Sequence, residues 1–379
     1  MLQNYGKGDK NTKKRALKGI LISILSLFLV FTIVITAFVI DKFNKMGDKI
    51  DEKPQETVAS EENQKDDIIF EEEPDSIEID IGSSDFKEAI KKWATTDNDK
   101  KMSDKNVINV LLVGFDSREG SYSGNTDVMM VASLNKKTKE IKLVSFLRDT
   151  YCYIETEKSS YYTKLNAAYS LGGIECLKET IENNYKIKID NYVLVNFESF
   201  KAIIDAMGGV TVKVEQYEAA YMNDVMGLNN VTWGEAVTLN GIEALSFCRM
   251  RMLDADGDVS RTRRQRQVIG AFIDKVSTAT IGELNKYIDV FLPYINTGFK
   301  KSEIFSLGIN ALTGKWYSYT VTELQMPTEN SRISANRDLW IWVVDYELAA
   351  NILQTELYGK SNIVLHEDRI SVIDIYRVN

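Results

Sequence analysis

Two aspartates are the first residues of this sequence whose positions suit chemistry. Asp116 follows the apolar run 107–115, and Asp127 begins the next apolar run. In open α/β sheets, ligands bind outside the carboxyl ends of the strands. Two carboxylates at that edge would suit Mg²⁺, which takes one or two protein carboxylates together with substrate oxygens, and Mn²⁺ accepts similar ligands. Alternatively, both aspartates could be ordinary turn residues, because Asp is favoured in turns.

Charged residues also follow the third apolar run, 140–147. Arg148 and Asp149 come directly after it, and Arg118 lies two residues beyond Asp116. Taken alone, an arginine beside an aspartate could be a surface ion pair of little energetic weight. Three successive strands that each deliver charge to one edge of a sheet instead favour a binding site.

The arginines are concentrated in residues 246–267, which hold six of the thirteen in the chain. A nucleic-acid-binding patch, a solvated helix face and a phosphate site could each produce such a stretch. Arg249 and Arg251 are two residues apart, so in an extended segment both side chains point to the same side. Guanidinium is permanently charged and binds phosphate through two parallel hydrogen bonds, which suits a partly buried diphosphate better than lysine does.

The helix predicted from about 260 to 278 separates the other arginines by direction. Its buried stripe is marked by Val268, Ile269, Phe272, Ile273 and Val276. At about 100° per residue, Arg261 and Gln265 fall on or beside this stripe, whereas Arg263 points away. A cation in the first helical turn is unfavourable unless an anion lies in front of it, so we predict that Arg261 binds an anion with Asp258 as its orienting partner. Two arginines flank the stripe and stay undecided between site and surface: Arg264 and Arg266.

Histidine and cysteine offer little to a catalytic site. The single histidine, His366, excludes a multi-histidine zinc site, and a Ser-His-Asp triad would depend on a residue with no motif around it. The three cysteines are too few for a disulfide scaffold and have no metal-binding spacing. Chemistry in this chain must therefore come from carboxylates, arginines and a hard metal ion.

The elements that would position these residues alternate between strand and helix. Apolar, β-branched runs predict strands at 107–116, 127–135, 140–147, 192–197 and 210–214. Helices are predicted near 166–171, 174–184, 200–207, 240–247 and 260–278. This alternation predicts an α/β fold with a central, mixed sheet covered by helices on both faces.

The N-terminal region predicts a membrane-anchored protein. Residues 20–40 form a run of 21 uncharged residues, long enough to span about 30 Å of hydrocarbon as a helix. Basic residues precede this run and an acidic segment follows it, so the positive-inside rule predicts that the rest of the chain is exported. The predicted divisions are a cytoplasmic tail (1–18), a transmembrane signal anchor (19–40), an acidic extracellular spacer (41–105), a catalytic domain (106–359) and a C-terminal tail (360–379).

The same features argue against nucleic-acid binding. The exported side of a membrane meets no DNA, the net charge of the chain is −9, and the inward direction of Arg261 is wrong for a groove-facing patch.

Seven motifs, taken together, resemble the LytR-CpsA-Psr family of membrane-anchored cell-wall enzymes. They are LLVGFDSR (111–118), NTDVMM (125–130), SFLRDTY (145–151), KLNAAY (164–169) with the following Gly172-Gly173, GGVTV (208–212), LNGIEALSFCRMR (239–251) and GDVSRTRRQ (257–265). They occur in the family's order and cover about residues 106–280. A weaker similarity continues to 342–359.

The resemblance implies a function. Such proteins bind a polyprenyl-pyrophosphate-linked glycopolymer and transfer its glycan-phosphate to a hydroxyl of peptidoglycan, with Mg²⁺ at the diphosphate. Asp116 and Asp127 would hold the metal, and Asp116 or Asp149 could accept a proton. Contacts to the diphosphate would come from Arg118, Arg148, Arg249, Arg251, Arg261 and Gln265. The polymer (teichoic acid, capsule or another glycan) and the oligomeric state stay open.

Two positions depart from the family pattern. Asn125 stands where an arginine is frequent, which removes one expected phosphate contact, and Leu147 replaces a proline. Two other functions would use the same residues. One is hydrolysis of a polyprenyl diphosphate, and the other is a non-catalytic module that binds lipid and regulates wall enzymes.

Overall fold

The computed structural model describes residues 83–96, 100–115, 126–251, 257–291, 296–337 and 339–365. The predicted cytoplasmic tail, the membrane anchor and most of the acidic spacer lie outside these ranges. Four residues singled out above also lie outside them: Asp116, Arg118, Asn125 and His366. Within the described ranges, no helix combines the length and the apolar character needed to cross a bilayer.

A mixed β-sheet forms the centre of the fold and confirms the predicted class. The strands of the described chain are β1 (Val107–Phe115), β2 (Thr126–Asn135), β3 (Glu140–Phe146), β4 (Tyr151–Glu155), β5 (Ser160–Lys164), β6 (Asn191–Asn196), β7 (Val210–Val214), β8 (Gly234–Leu239), β9 (Asn296–Thr297), β10 (Thr320–Met326), β11 (Arg332–Arg337) and β12 (Leu339–Val344). Six of them form the central sheet in the order β10-β3-β2-β1-β6-β9. β1 runs antiparallel to β2 and parallel to β6, while β3 runs antiparallel to β2 and parallel to β10.

The predicted ranges account for only four of the nine α-helices in the described residues. They are α1 (Ser84–Thr95), α2 (Ala167–Tyr185), α3 (Phe197–Ala206), α4 (Gln216–Asp224), α5 (Gly241–Arg249), α6 (Asp258–Thr278), α7 (Ile281–Phe291), α8 (Lys301–Thr313) and α9 (Tyr346–Tyr358). Gly172 and Gly173 have non-helical backbone angles, so the two helices predicted within 166–184 form one kinked element. Asn240 caps α5 as expected, because its side chain accepts a hydrogen bond from the Glu243 amide.

One face of the sheet carries the main core. Leu111 and Val113 of β1 are buried there together with Val131 of β2. Helices α2 and α9 and the hairpins β4–β5 and β11–β12 contribute to the same core. Neither hairpin was predicted from the sequence.

The opposite face of the sheet is covered less completely. α6 packs against β3 and β10, whereas α3 packs against β6. β1 and β2 lie between these contacts in the sheet order. On this face Met130 of β2 is buried, whereas the other apolar side chains of the two strands are half-buried. We call this half-buried strip of the sheet the apolar groove; its residues are Ile108, Val110, Leu112, Val128, Ala132 and Leu134.

The two ends of the sheet differ in charge. One end of the sheet holds the carboxyl ends of β1 and β3 together with the start of β2. We call this end the charged edge. The β2–β3 turn and the start of β10 lie at the opposite end, which we call the lysine end because the turn carries Lys136, Lys137 and Lys139.

Candidate active site

The charged edge brings together residues from β2 and from the segment after β3. Arg148 Nη1 lies 3.3 Å from Asp127 Oδ1, and Arg148 Nε lies 3.4 Å from Asp149 Oδ2. Phe115, which directly precedes Asp116, is paired with Thr126 across the sheet. The described part of the chain therefore places Asp127, Arg148 and Asp149 in one cluster, as expected for neighbouring strand ends.

The first turn of α6 completes this cluster. Arg261 is 3% exposed, and its Nη2 lies 3.3 Å from Asp127 Oδ1 and also donates to the Asp127 carbonyl. Its Nη1 lies 3.5 Å from Asp258 Oδ1. Asp258 in turn faces Arg148, with 3.6 Å between Oδ1 and Nε. Arg261 thus points inward, as the helical period predicts, and Asp258 lies between two guanidinium groups.

These ion pairs are close but loosely formed. Arg148 Nε and Asp258 Oδ1 are buried, and within the described residues neither has a hydrogen-bond partner. Buried polar groups in folded proteins are usually paired, so such groups call for an explanation. An anionic ligand would supply an acceptor for Arg148 Nε, whereas the Asp258 oxygen would need a donor.

The carboxylates keep Arg148 charged. Burial alone would lower the pKa of Arg148, but Asp149, Asp258 and Asp127 together outweigh burial and raise it above its ordinary value. This guanidinium is therefore a permanent donor at the charged edge.

The pKa of Arg251 is shifted in the opposite direction, below its ordinary value. Burial lowers its pKa, and the positive charges of Arg148 and Arg261 lower it further. Three guanidinium groups are therefore near enough to repel one another. A bound anion would relieve this repulsion, so the cluster is electrostatically suited to a phosphate group.

Arg249 differs from the expectation for an extended segment. It is the last residue of α5, and the buried Met250 separates it from Arg251. The Arg249 side chain is exposed, and its guanidinium carbon lies 4.7 Å from the centroid of the Phe197 ring. Phe197 follows Asn196, which pairs with Phe115, so Arg249 lies at the charged edge beside β6. The two arginines therefore approach this edge from different directions rather than from one side of a strand.

Gln265 lies one helical turn beyond Arg261 and is buried. Its Nε2 donates to the Cys248 carbonyl at 3.5 Å, which connects α6 to the end of α5. The structure thus shows Gln265 in a contact between helices, while its predicted contact with a diphosphate stays a prediction.

The three remaining arginines of α6 all form ion pairs with glutamates, which their directions on the helix did not predict. Arg264 is fully buried and donates to Glu218 Oε1 at 2.7 Å and to the Met250 carbonyl at 3.0 Å. Arg263, expected in solvent, lies 3.4 Å from the same Glu218 oxygen with its side chain 38% exposed. Arg266 Nε pairs with Glu323 of β10 at 3.0 Å. Arg264 and Glu218 thus tie α4, the end of α5 and α6 together.

Lys164 is a site residue that the sequence analysis did not identify. It ends β5, and its Nζ lies 2.6 Å from Asp149 Oδ1. The motif KLNAAY contains this lysine, but motif membership alone does not place it beside Asp149. Its position depends on the β4–β5 hairpin, which the sequence analysis did not predict.

The central mixed sheet, covered by helices, makes this an α/β protein. Its charged edge combines arginines with carboxylates, and one face of the sheet carries the apolar groove. The chain belongs to the LytR_cpsA_psr family, which matches residues 77–356. The resemblance inferred from the seven motifs is therefore confirmed.

Several known proteins are similar to this chain. The polyisoprenyl-teichoic acid–peptidoglycan teichoic acid transferase TagU of Bacillus licheniformis is 35% identical over 211 residues, which are 55% of this chain and 64% of TagU. The transferase TagV of Bacillus subtilis is 34% identical over 206 residues, which are 54% of this chain and 52% of TagV. The crystal structure of B. subtilis TagV matches with a TM-score of 0.53 at 28% identity and covers 67% of this chain and 98% of that chain. The chain spans less than two thirds of the length of the two curated relatives.

Proposed function

We propose that this protein is a membrane-anchored, extracellular phosphotransferase. It would move a glycopolymer phosphate from a polyprenyl-pyrophosphate carrier to a hydroxyl of peptidoglycan. One observation carries the proposal: α6, whose first turn brings Arg261 to the charged edge, packs on the same face of the sheet as the apolar groove. The cluster suits a diphosphate and the groove suits a polyprenyl chain, which are the two parts of such a carrier.

The relatives support the choice of substrate class. TagU and TagV are named for the transfer of polyisoprenyl-linked teichoic acid to peptidoglycan. A teichoic-acid-type polymer is therefore the first donor to test. The uncharged run at 20–40 supports anchoring in the cell membrane with the N-terminus in the cytoplasm and the catalytic domain outside.

Asp116 and Asp127 would hold a Mg²⁺ or Mn²⁺ ion. The Asp127 side chain is 31% exposed, and both of its arginine contacts fall on Oδ1. Within the described residues, no three Asp, Glu, His or Cys side chains form a metal-binding group. This fits an ion that takes few protein ligands and completes its shell with substrate oxygens. When bound, such an ion would neutralise diphosphate charge in the transition state.

The residues of the cluster would have separate tasks in the reaction. Arg148, Arg251 and Arg261 would bind the diphosphate and stabilise the departing polyprenyl phosphate. The wall hydroxyl attacks the phosphorus nearest the glycan, the bond from that phosphorus to the bridging oxygen breaks, and the hydroxyl proton passes to a base. Asp149 contacts Lys164 through Oδ1 and Arg148 through Oδ2, so we assign it to positioning. Asp116 is then the remaining candidate base, and it would accept the proton on the carboxylate oxygen that does not hold the ion.

The proposal is tested with the full-length protein and a polyprenyl-diphosphate-linked glycan, with and without peptidoglycan. We expect a phosphodiester-linked glycan on peptidoglycan, together with polyprenyl phosphate, only when the acceptor is present. Release of glycan phosphate at the same rate without acceptor would instead identify a pyrophosphatase. Absence of turnover, with unaltered wall assembly in cells that carry Asp127→Asn, would identify a non-catalytic wall-regulatory module.

Metal removal is expected to stop the reaction. EDTA should abolish transfer and added Mg²⁺ should restore it, because the diphosphate charge would otherwise be left partly unneutralised. Asp127→Asn should raise the Mg²⁺ concentration needed for half-maximal activity, since one charged ligand is lost. Asp224→Asn, at an exposed position at the end of α4, is the control. Identical Mg²⁺ dependence in both variants would count against the assignment of Asp127.

Lys164→Met is expected to lower the transfer rate about 10–100-fold, the usual effect of losing a residue that orients a reacting group. Without the 2.6 Å contact from Lys164, Asp149 would no longer hold Arg148 in a fixed orientation. Steady-state rates measure this effect, and Lys164→Arg should recover part of the loss. Lys178→Met removes a surface pair with Glu175 and should retain full activity. Full activity of Lys164→Met would show that Asp149 needs no fixed partner.

A further inference from the structure

The helix that crosses the lysine end exposes apolar side chains. α8 follows β9 at one edge of the sheet and precedes β10 at the other edge. At the start of β10, the Thr320 amide donates to the Lys139 carbonyl at 3.1 Å. Ile309 and Leu312 of α8 are 44% and 64% exposed, and Tyr317 in the next turn is 51% exposed. A group of exposed apolar side chains on one surface indicates a contact with another molecule.

Lysines flank α8 in the chain and lie in the adjacent β2–β3 turn. Exposed lysines lie in the β2–β3 turn, before α8 and after α8: Lys136, Lys137, Lys139, Lys300 and Lys315. Four carboxylates offset part of the positive charge: Glu303 of α8, Asp190 in the cavity beside α8, Asp104 near Lys137, and Glu140, which pairs with Lys142. The lysine end keeps a positive balance in a chain whose net charge is −9. Its partner should therefore be both apolar and anionic.

A surface cavity lies beside α8. It has a volume of about 400 Å³ and lies between α8 and the sheet. Ser306 and Leu307 of α8 line one side, and the groove residue Ile108 lines the other. Most of its other lining residues are polar, including Asp190 and Glu303, so the cavity meets the apolar groove only at Ile108.

We propose that α8 and the turn that follows it, residues 301–318, dock onto the surface of an anionic lipid bilayer. Helices that lie in a membrane interface bury apolar side chains near the acyl boundary, while their lysines meet anionic headgroups. Tyrosine, as at 317, is favoured at this depth. The docking follows from the exposed apolar side chains of this segment and from the lysines at the lysine end. Its further consequence, that the groove opens toward the membrane that supplies the carrier, rests on the proposed function.

A second exposed apolar region does not share this charge. Val225 and Trp233, between α4 and β8, are 65% and 62% exposed. The exposed Asp224 and Glu235 stand beside them in the chain, and Lys213, which contacts Glu235, is shared with Glu215. This part of the described surface therefore lacks the positive charge that would attract an anionic bilayer. Val225 is therefore a matched control for Leu312, with the same exposure and opposite surroundings.

The test uses the full-length protein in nanodiscs, with an environment-sensitive fluorophore attached at Leu312→Cys or at Val225→Cys. The three native cysteines are buried, and burial raises the pKa of Cys176 to about 11 and that of Cys248 to about 12, which directs labelling to the introduced thiol. In nanodiscs that contain phosphatidylglycerol, we expect a blue shift and quenching by lipid-borne quenchers for the label at 312. Pure phosphatidylcholine should weaken both signals, and the label at 225 should show neither.

Three results would overturn the docking proposal. The label at 312 could stay in water on phosphatidylglycerol, both labels could respond equally, or the shift at 312 could appear in lipid-free detergent and grow with protein concentration. The last result would identify a second copy of the chain as the partner. Because the readout requires no catalysis, Arg261→Lys should dock normally. Docking without transfer would refute only the proposed function, and transfer without docking would refute only the surface assignment.

Discussion

Arg261→Lys is expected to lower the rate of glycopolymer transfer about 10²–10³-fold, the usual effect of losing one preorganised electrostatic contact. Arg261 is 3% exposed and contacts Asp127 with one guanidinium nitrogen and Asp258 with the other. A lysine keeps the charge but has a single ammonium group, so it cannot join both carboxylates and a phosphate in one plane. The loss should appear mainly in kcat, because the contact would be strongest when charge moves onto the leaving phosphate.

The control for Arg261 stands on the same helix. Arg263→Lys changes a partly exposed side chain that pairs with Glu218 instead of with the cluster, and it should keep near-normal turnover. Thermal unfolding of both variants should resemble that of the parent protein, which separates catalysis from folding. If Arg261→Lys transferred glycan at the parental rate, the placement of the diphosphate at the first turn of α6 would be wrong.

Arg264→Met is expected to destabilise the fold by about 3–5 kcal/mol, because it leaves the buried Glu218 carboxylate without its main partner. Arg264 is fully buried and Glu218 is 1% exposed, with 2.7 Å between Nε and Oε1. Arg263 also reaches Glu218 at 3.4 Å, which favours the lower part of this range. The same change removes the donor to the Met250 carbonyl, so it should loosen the segment that carries Arg251.

Urea unfolding at equilibrium measures this effect. Arg263→Met, which removes the more exposed partner of Glu218, should cost far less. The double variant Arg264→Met with Glu218→Leu should recover part of the lost stability, since replacing a buried ion pair by apolar residues is frequently neutral. If Arg264→Met were as stable as the parent protein, the buried pair would contribute little to the stability of the fold.

Much of the fold follows from local patterns in the sequence. β1, β2, β3 and β6 lie within one residue of their predicted bounds, because apolar runs between turn residues are a local signal. The direction of Arg261 was predictable for the same reason, since helical period alone places it on the buried stripe.

Other features depend on contacts between distant parts of the chain. Arg264 pairs with Glu218, 46 residues away, so helical direction alone left it undecided. Lys164 reaches Asp149 only because β4 and β5 form a hairpin. Arg249 was expected in an extended segment because the length of α5 was underestimated by two residues. For Arg264 and Lys164 the deciding interaction is tertiary and leaves no periodic trace in the sequence.

In the proposed reaction, the length of β1 would determine how far above the membrane the transfer takes place. This strand has nine residues, and at about 3.3 Å per residue it separates the lysine end from the charged edge by about 30 Å. With the lysine end on the bilayer, the diphosphate would be lifted by that height above the headgroups. A matching length of polyprenyl chain would have to leave the lipid to fill the groove. Peptidoglycan would then be modified at a fixed distance from the membrane surface, and the length of β1 would determine that distance.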